Sequence, residues 1–339
     1  MVPYHLARAD PKLVQSLYAH GKISNEGRAY ALNFLIPHRA WGLWVSRILL
    51  SLGTLLVLSG IIYFFAFNWA AITPAIKFAT LQASIVVAIT GACVLSLNSL
   101  WGRTLLLSAS VLVGIFMAVF GQVYQTGADA YQLFMMWSLF TFGWTVISKF
   151  APQWLFWLLI TNTWLVLWWE QAALPSHEME YMIFAYMAIF NGIALGSAEY
   201  FATFPRHAWL MIRWIRIVLV AVTLFVMLIP IFAFILQPGR MTLSILLGSG
   251  MGTIGHGLFF YYYRYKRPDM EALAMTILSL CIIVITICFR IHFECDLGDK
   301  WIFFTMGLTT LIVFTVGIVY LKKASKKMLN PSDHERVQP

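Results

Sequence analysis

Charged residues are scarce in this sequence. Only 11% of its 339 residues are Asp, Glu, Lys or Arg, whereas 60% are hydrophobic and the mean hydropathy is +0.78. Soluble domains contain about 25% charged and about 45–50% apolar residues. The composition therefore excludes a soluble globular enzyme, a disordered chain and a secreted disulfide scaffold. It predicts an all-α bundle that crosses a membrane many times.

Cysteine is also rare, and several sequence motifs are missing. The cysteines Cys93, Cys281, Cys288 and Cys295 form no CxxC pair, and three of them lie in apolar stretches, where cysteine behaves as a small hydrophobic residue. We therefore expect neither a zinc site nor a redox site. The sequence lacks a P-loop, a GxSxG motif and an HExxH motif, and it shows no clear internal repeat. We expect no cofactor, and the sequence leans away from an enzyme.

Long apolar runs dominate the chain instead. A membrane-spanning helix needs about 20 such residues. Ten spans are predicted, at roughly 48–66, 75–97, 104–120, 131–147, 152–169, 181–198, 217–236, 241–263, 272–289 and 301–321. The fourth and fifth are close to the lower length limit, so a re-entrant or tilted pair is the alternative there.

A polar region precedes the first apolar run. Pro11 suits a first helical turn, Gly21 suits a C-terminal cap, Ser24 suits the cap of a second helix, and Pro37 suits its end. A cleavable signal peptide would place its apolar core nearer the start, so we expect this region to remain on the mature protein. The predicted parts are a helical hairpin at 1–47, a transmembrane bundle at 48–321 and a basic tail at 322–339.

The positions of the basic residues predict an orientation. With the N-terminus in the cytoplasm and the spans alternating, 19 of the 23 Lys and Arg residues fall on the cytoplasmic side and 4 on the outer side. Such a bias is typical of cytoplasmic loops, so both termini are expected on the cytoplasmic side of the membrane. The net charge of +9 then reflects topology. We expect membrane lipids as partners and no nucleic acid.

Ionisable residues are nearly absent from the predicted spans. These segments contain no Asp or Glu, and His256 alone lies near the middle of a span. This pattern argues against a proton-coupled carrier built on buried carboxylates. His256 continues the helix face of Gly248 and Gly252, which allows close approach of another helix. It is either a neutral histidine bonded to a neighbouring helix or a residue that binds a ligand or handles a proton.

Polar residues collect on the predicted outer face, in the stretch Gly121–Gln132, which contains one acid and no base. On the alternating topology this stretch lies on the same side as Asn68. The candidate ligand-binding residues are Asn68, Trp69, Gln122, Tyr124, Gln125, Asp129, Tyr131 and His256. Their amides and hydroxyls could form a binding site, or they could satisfy backbone groups where two helices turn. A catalytic site is less favoured, because Asp129 has no nearby basic or nucleophilic partner in sequence.

The last outer loop is acid-rich. His292, Glu294 and Asp296 are weak candidates for a divalent metal site. Their spacing of two suits a strand better than a helix. A solvated loop is the alternative that we favour.

Three short pieces of this sequence carry a family resemblance. They are Gly21–Ser24, Ala66–Trp69, and Gly121–Gln125 with Asp129, Tyr131 and Trp137. Over roughly residues 10–170, the sequence resembles the bacterial membrane proteins grouped as domain of unknown function 2157 (DUF2157). The resemblance implies a multi-pass inner-membrane protein. It implies no reaction and no substrate.

Three functional classes remain open. The favoured one is a carrier, channel or lipid- or small-molecule-binding protein with its polar site on the outer face. The second is a non-catalytic assembly or regulatory protein that binds other membrane or envelope proteins through the hairpin and the basic tail. The third is a membrane enzyme acting on a lipid-linked substrate, with Asp129, His292 and Glu294 as candidate residues.

Overall fold

A computed structural model describes residues 11–35, single positions between 45 and 67, and residues 69–204, 209–210, 213–294 and 299–329. Most of the predicted first span, together with Pro37, Asn68 and Asp296, lies outside the described residues. The chain folds as two units that divide between Ile76 and Lys77.

Two short helices begin the first unit, α1 (Pro11–Ala19) and α2 (Asn25–Leu35). They pack against each other, with Val14 buried. The turn between them needs Gly21, whose φ of +67° is readily adopted only by glycine. Ser24 Oγ accepts the Gly27 N–H at 3.1 Å, which caps the first turn of α2. Helix α1 therefore ends, and α2 begins, where the capping residues indicate.

Nine longer helices follow within the described residues. They are α3 (Pro74–Val94), α4 (Leu100–Tyr124), α5 (Ala130–Ser148), α6 (Ala151–Trp168), α7 (Met182–Phe201), α8 (Arg213–Leu236), α9 (Leu243–Tyr261), α10 (Met270–Glu294) and α11 (Asp299–Leu329). Short π-helical segments extend α6 (Trp169–Ala173) and α9 (Tyr262–Lys266), and 3₁₀ turns lie at His177–Met179 and Pro238–Arg240. No strand occurs within the described ranges.

Seven segments of the described chain are long and apolar enough to cross a membrane. They are Pro74–Val94, Leu100–Tyr124, His177–Phe201, Trp214–Leu236, Leu243–Lys266, Met270–Glu294 and Phe303–Lys326. They correspond to seven of the ten predicted spans and confirm a helical membrane bundle. The predicted fourth and fifth spans are helices too, α5 with 19 residues and α6 with 18, but they are not among the seven.

Helix α5 has its polar side chains inside and its apolar side chains outside. Ser138, Thr141, Thr145 and Ser148 are buried on one face, at helical spacing. The residues Leu139, Phe140, Phe142, Val146 and Ile147 are exposed. A helix surrounded by lipid has this arrangement, and about 19 residues at 1.5 Å per residue approach the thickness of a bilayer core. The buried hydroxyls lower the hydropathy of α5 without facing lipid.

Side-chain amides join the helices around α6. Gln153 Nε2 donates to Ser110 Oγ of α4 at 2.8 Å and to Thr145 Oγ1 of α5 at 3.3 Å. Asn162 and Asn191 exchange amide hydrogen bonds of 3.1 and 2.7 Å between α6 and α7. Such bonds hold helices together in lipid, where apolar burial gives little driving force.

Small residues let α9 approach α8 closely. A Cβ at Gly252 would lie 2.8 Å from the carbonyl oxygen of Met227, and one at Gly248 would lie 2.9 Å from Pro230 Cβ. The predicted role of this glycine face in close helix packing is therefore confirmed. A nearby apolar core, with Val220, Leu273 and Ala324 buried, fixes the adjoining ends of α8, α10 and α11.

Candidate functional site

The predicted outer polar stretch forms the turn from α4 to α5. Gln125 has a φ of 45° and its N–H donates to Gly121 O, which ends α4. Tyr124 is exposed, and its ring stacks on Phe78 with the ring centroids 5.7 Å apart. Asp129 is exposed at the cap position of α5, and its side chain makes no capping hydrogen bond.

The structure brings Tyr131 together with a residue that the sequence did not single out. The Tyr131 N–H donates to Gln171 Oε1 at 3.1 Å, and its hydroxyl accepts from Gln132 Nε2 at 3.3 Å. Gln171 lies in the π-helical end of α6. At this one position, the structure favours the alternative in which polar side chains satisfy backbone groups at a helix turn.

The other candidates of the outer set occupy separate elements. Gln122 is exposed on the last turn of α4, and Trp69 lies in a turn before α3, in the first unit. Asn68 falls outside the described residues. A ligand site made by this set therefore stays a prediction.

His256 is buried, with 1% of its surface exposed, and it joins two helices. Its Nδ1 lies 2.7 Å from Gly252 O, and its Nε2 lies 2.7 Å from Ser279 Oγ of α10. Because a carbonyl oxygen can only accept, Nδ1 carries the proton in the neutral ring, and Nε2 accepts from the serine hydroxyl. The geometry favours the structural alternative for this residue.

The weak metal candidates are partly described. Helix α10 continues through Glu294, so His292 and Glu294 lie on a helix and not in the solvated loop that the sequence favoured, because the helical hydrogen bonding extends past the apolar run. His292 Nδ1 lies 2.7 Å from Cys288 O, and Glu294 pairs with Arg290 one turn earlier. Asp296 is outside the described residues. Among the residues that were placed, no group of three or more His, Cys, Asp or Glu side chains could hold a metal.

A charged cluster that sequence reasoning missed lies where α7 ends and α8 begins. We call it the Glu199 cluster; its members are Glu199, Arg216, Tyr263, Arg267 and Asp269. Arg216 Nε lies 2.7 Å from Glu199 Oε1, and Arg216 Nη1 pairs with Asp269. Arg267 Nη1 pairs with the Glu199 carboxylate and also donates to Glu199 O at 3.2 Å. The Tyr263 hydroxyl donates to Glu199 Oε1 at 3.4 Å.

Local structure fixes the position of each member. Asp269 caps α10, because its Oδ1 accepts the N–H groups of Glu271 and Ala272, both at 3.0 Å. Its other oxygen is thereby directed to Arg216. The π-helical end of α9 contains Tyr263, which is fully buried in the apolar core. The cluster therefore joins four consecutive parts of the chain, from the end of α7 to the start of α10.

The cluster is partly buried and its charges balance. The exposed fractions of the side chains are 8% for Glu199, 13% for Asp269, 15% for Arg216 and 32% for Arg267. Two carboxylates thus face two guanidiniums. Charges removed from water are stable only when they are paired, so each member depends on the others.

A recess opens beside the cluster. The space in it that a water-sized sphere can enter is about 10 Å³. Glu199 and Arg216 line it together with six apolar residues: Leu195, Ala198, Ala202, Leu210, Ile215 and Leu219. Within the described residues, Arg216 Nη1 donates to Asp269 and Nε lies in an ion pair with Glu199, which leaves Nη2 for a further acceptor. We call this space the Arg216 recess.

One signal in the sequence could have found this cluster. The predicted sixth span ended at residue 198, one position before Glu199, so the acid was counted as a loop residue. It is, however, an isolated acid at the end of an apolar run, followed by the bases Arg206, Arg213 and Arg216. An isolated acid facing several bases is a common origin of a buried ion pair.

Comparisons with known proteins give one match. No curated protein and no solved structure matches the chain. The model of the family described as predicted membrane protein (DUF2157) matches residues 15–154. The match includes the Gly121–Gln125 piece and ends at the start of α6, so the Glu199 cluster lies outside it. Over residues 15–154, the chain is therefore similar to the predicted membrane proteins of the DUF2157 family.

Proposed function

We propose that this protein binds a single phospholipid at the Arg216 recess. The proposal rests on the composition of the recess. Its wall is apolar and ends at the Arg216 guanidinium, whose Nη2 can donate to a further acceptor. A phospholipid has the complementary form, an apolar chain joined to a phosphate. Guanidinium groups bind phosphate oxygens through directed, charge-assisted hydrogen bonds.

The size of the recess indicates how a lipid would lie. Pockets that enclose a whole small molecule usually measure about 300–1,000 Å³, whereas a water-sized sphere can enter only about 10 Å³ of the Arg216 recess. It can take one small polar group, such as a phosphate oxygen or an ammonium, so the rest of the head group would lie at its mouth. The remainder of the lipid would lie along exposed apolar side chains of α8, such as Val218 and Val222.

We also propose that the Glu199 cluster lies at the cytoplasmic side of a bacterial inner membrane. The support is the charge bias, with 19 of 23 basic residues on the side that includes Arg216 and Arg267. The recess would then open toward lipids of the inner leaflet. This placement differs from the outer-face site expected from sequence, and the two sites do not exclude each other.

The proposal is tested by filling the recess without changing its charge. Ala198 lines the recess, and Ser197, its neighbour on α7, is exposed. We expect Ala198→Leu to lose a lipid that the wild-type protein retains through detergent purification, as measured by native mass spectrometry. Ser197→Leu, the matched control, should keep that lipid.

Two results would contradict the proposal. One is a wild-type protein that carries no lipid even after addition of phospholipid. The other is an Ala198→Leu variant that retains lipid at wild-type occupancy. Circular dichroism of both variants would establish that they are folded.

A further inference from the structure

We infer that the Arg216 recess selects a zwitterionic phospholipid whose head group carries a primary ammonium beside the phosphate. The inference rests on the proposed lipid binding and names the class of head group. It follows from the balance of charge in the Glu199 cluster and from the donor and acceptor atoms of the cluster that can make a further hydrogen bond.

Among the side chains that the structure describes, the cluster has no net charge to offer an incoming ion. The two negative charges of Glu199 and Asp269 are balanced by the two positive charges of Arg216 and Arg267. An anionic head group would therefore leave one uncompensated negative charge in a partly buried site, which is costly. A zwitterionic head group adds no net charge. Lys266 lies nearby in sequence but is exposed, where solvent ions screen it.

The remaining hydrogen-bonding groups fit the two charges of such a head group. Arg216 Nη2 can donate to a phosphate oxygen. Glu199 Oε1 accepts from Tyr263 and is ion-paired with Arg216, whereas Oε2 is paired only with Arg267 among the described side chains. A carboxylate oxygen accepts about two hydrogen bonds, so Oε2 can take one from an ammonium. A quaternary choline group has no N–H and cannot make this bond.

The first experiment compares three lipids with identical acyl chains. Purified wild-type protein is delipidated, titrated with phosphatidylethanolamine, phosphatidylglycerol or phosphatidylcholine, and measured by native mass spectrometry. We expect phosphatidylethanolamine to be retained about tenfold better than either of the others, because phosphatidylglycerol adds an uncompensated negative charge and phosphatidylcholine has no N–H to donate to Glu199 Oε2. Ala198→Leu should abolish that difference.

The second experiment changes the charge of the cluster without touching the recess. Asp269→Asn removes one negative charge, keeps a good helix cap, and alters a residue that does not line the recess. The cluster then carries one net positive charge, so the preference should shift from phosphatidylethanolamine toward phosphatidylglycerol. Glu170→Gln, an exposed acid at the end of α6, is the control and should bind as the wild type does.

The outcomes separate this inference from the proposed function. If wild-type protein prefers phosphatidylglycerol, or binds phosphatidylcholine as well as phosphatidylethanolamine, and Ala198→Leu still abolishes binding, then the head-group inference is wrong and lipid binding stands. If Ala198→Leu binds every lipid normally, lipid binding at this recess is wrong. If Asp269→Asn does not fold, Arg267→Gln replaces it. The cluster then carries one net negative charge, and a weaker discrimination against phosphatidylglycerol would overturn the inference.

Discussion

The Glu199 carboxylate contacts three side chains that lie far from it in the sequence. Tyr263 and Arg267 donate hydrogen bonds to it, Arg216 forms an ion pair with it, and Arg216 is in turn paired with Asp269. A single carboxylate at 8% exposure would be expensive in this apolar environment. The surrounding donors make it stable, and through them it fixes the relative positions of α7, α8 and α10.

Removing the charge of Glu199 should destabilise the protein. In Glu199→Gln, Arg216 keeps Asp269 as a partner, but Arg267 loses its only carboxylate among the described residues. Arg267 is partly exposed, so water compensates part of the loss, and we expect the free energy of unfolding to fall by about 1–3 kcal/mol. Thermal unfolding in detergent, followed by circular dichroism, measures the change.

The control for this substitution is Glu170→Gln, because Glu170 is exposed at the end of α6. Exposed substitutions usually change stability by less than about 0.5 kcal/mol. Equal unfolding temperatures for the two variants would show that the ion pairs of Glu199 contribute nothing to stability.

The elements themselves could be predicted well from local signals, and their ends less well. The predicted span 131–147 is close to α5, Ala130–Ser148, because an apolar run and turn residues mark both ends. Helix α7 continues to Phe201 and α10 to Glu294, past the predicted ends at 198 and 289. Backbone hydrogen bonding does not stop where hydropathy falls. The predicted span therefore ended one residue before Glu199, although Glu199 lies within α7.

The pairing of Glu199 with Arg267 and of Arg216 with Asp269 could not be predicted from the sequence. These partners are separated by 68 and 53 positions, and they meet only because α7, α8 and α10 pack together. Their packing depends on close contacts such as that of Gly252 with Met227, which hydropathy does not encode. His256 shows the opposite case, since its glycine-rich face already indicated a neighbouring helix.

The close approach of α8 and α9 predicts opposite effects for two glycines of one helix. A Cβ at Gly252 would lie 2.8 Å from Met227 O and 3.0 Å from Ile231 Cδ1, whereas one at Gly250 would meet nothing within 4 Å. Gly252→Ala should lower the free energy of unfolding by about 1–3 kcal/mol through overpacking. Gly250→Ala should leave it unchanged or raise it by up to about 1 kcal/mol, because alanine favours the helix.

Thermal unfolding of the two variants under identical detergent conditions measures the difference. The prediction fails if Gly252→Ala is as stable as Gly250→Ala. That result would mean that α9 shifts to admit the methyl group at no cost, and the close packing of α8 and α9 would then not determine their positions.

At the scale of the whole molecule, the junctions between the helices of the second unit form two groups. Within each group, side-chain contacts join one junction to another. At one group, Glu178 Oε2 accepts the Leu243 N–H at 3.3 Å, and Ser244 Oγ accepts the Tyr181 N–H at 3.3 Å. At the other, the Glu199 cluster joins the α7–α8 and α9–α10 junctions. Helices α7, α8 and α9 connect the two groups, as spans that alternate in direction must.

The side of the membrane on which Lys149 lies shows whether α5 and α6 cross the membrane. Lys149 is exposed between these helices. If both helices cross, it lies on the same side as Lys323. If they form a re-entrant pair, Lys149 lies on the same side of the membrane as Ser176, which is an exposed residue near Glu178. The ends of all the other helices lie on the same side of the membrane in both cases. The inside-out polarity of α5 is that of a helix surrounded by lipid, so we expect both helices to cross.

Single-cysteine labelling tests this expectation in spheroplasts. The native cysteines are first replaced by alanine, and Lys149→Cys, Lys323→Cys and Ser176→Cys are then treated with a membrane-impermeant maleimide. Ser176→Cys should react in intact spheroplasts, whereas Lys149→Cys and Lys323→Cys should react only after permeabilisation. Reaction of Lys149→Cys together with Ser176→Cys would make α5 and α6 a re-entrant pair. Reaction of Lys323→Cys in intact spheroplasts would invert the orientation and place the Arg216 recess at the outer leaflet.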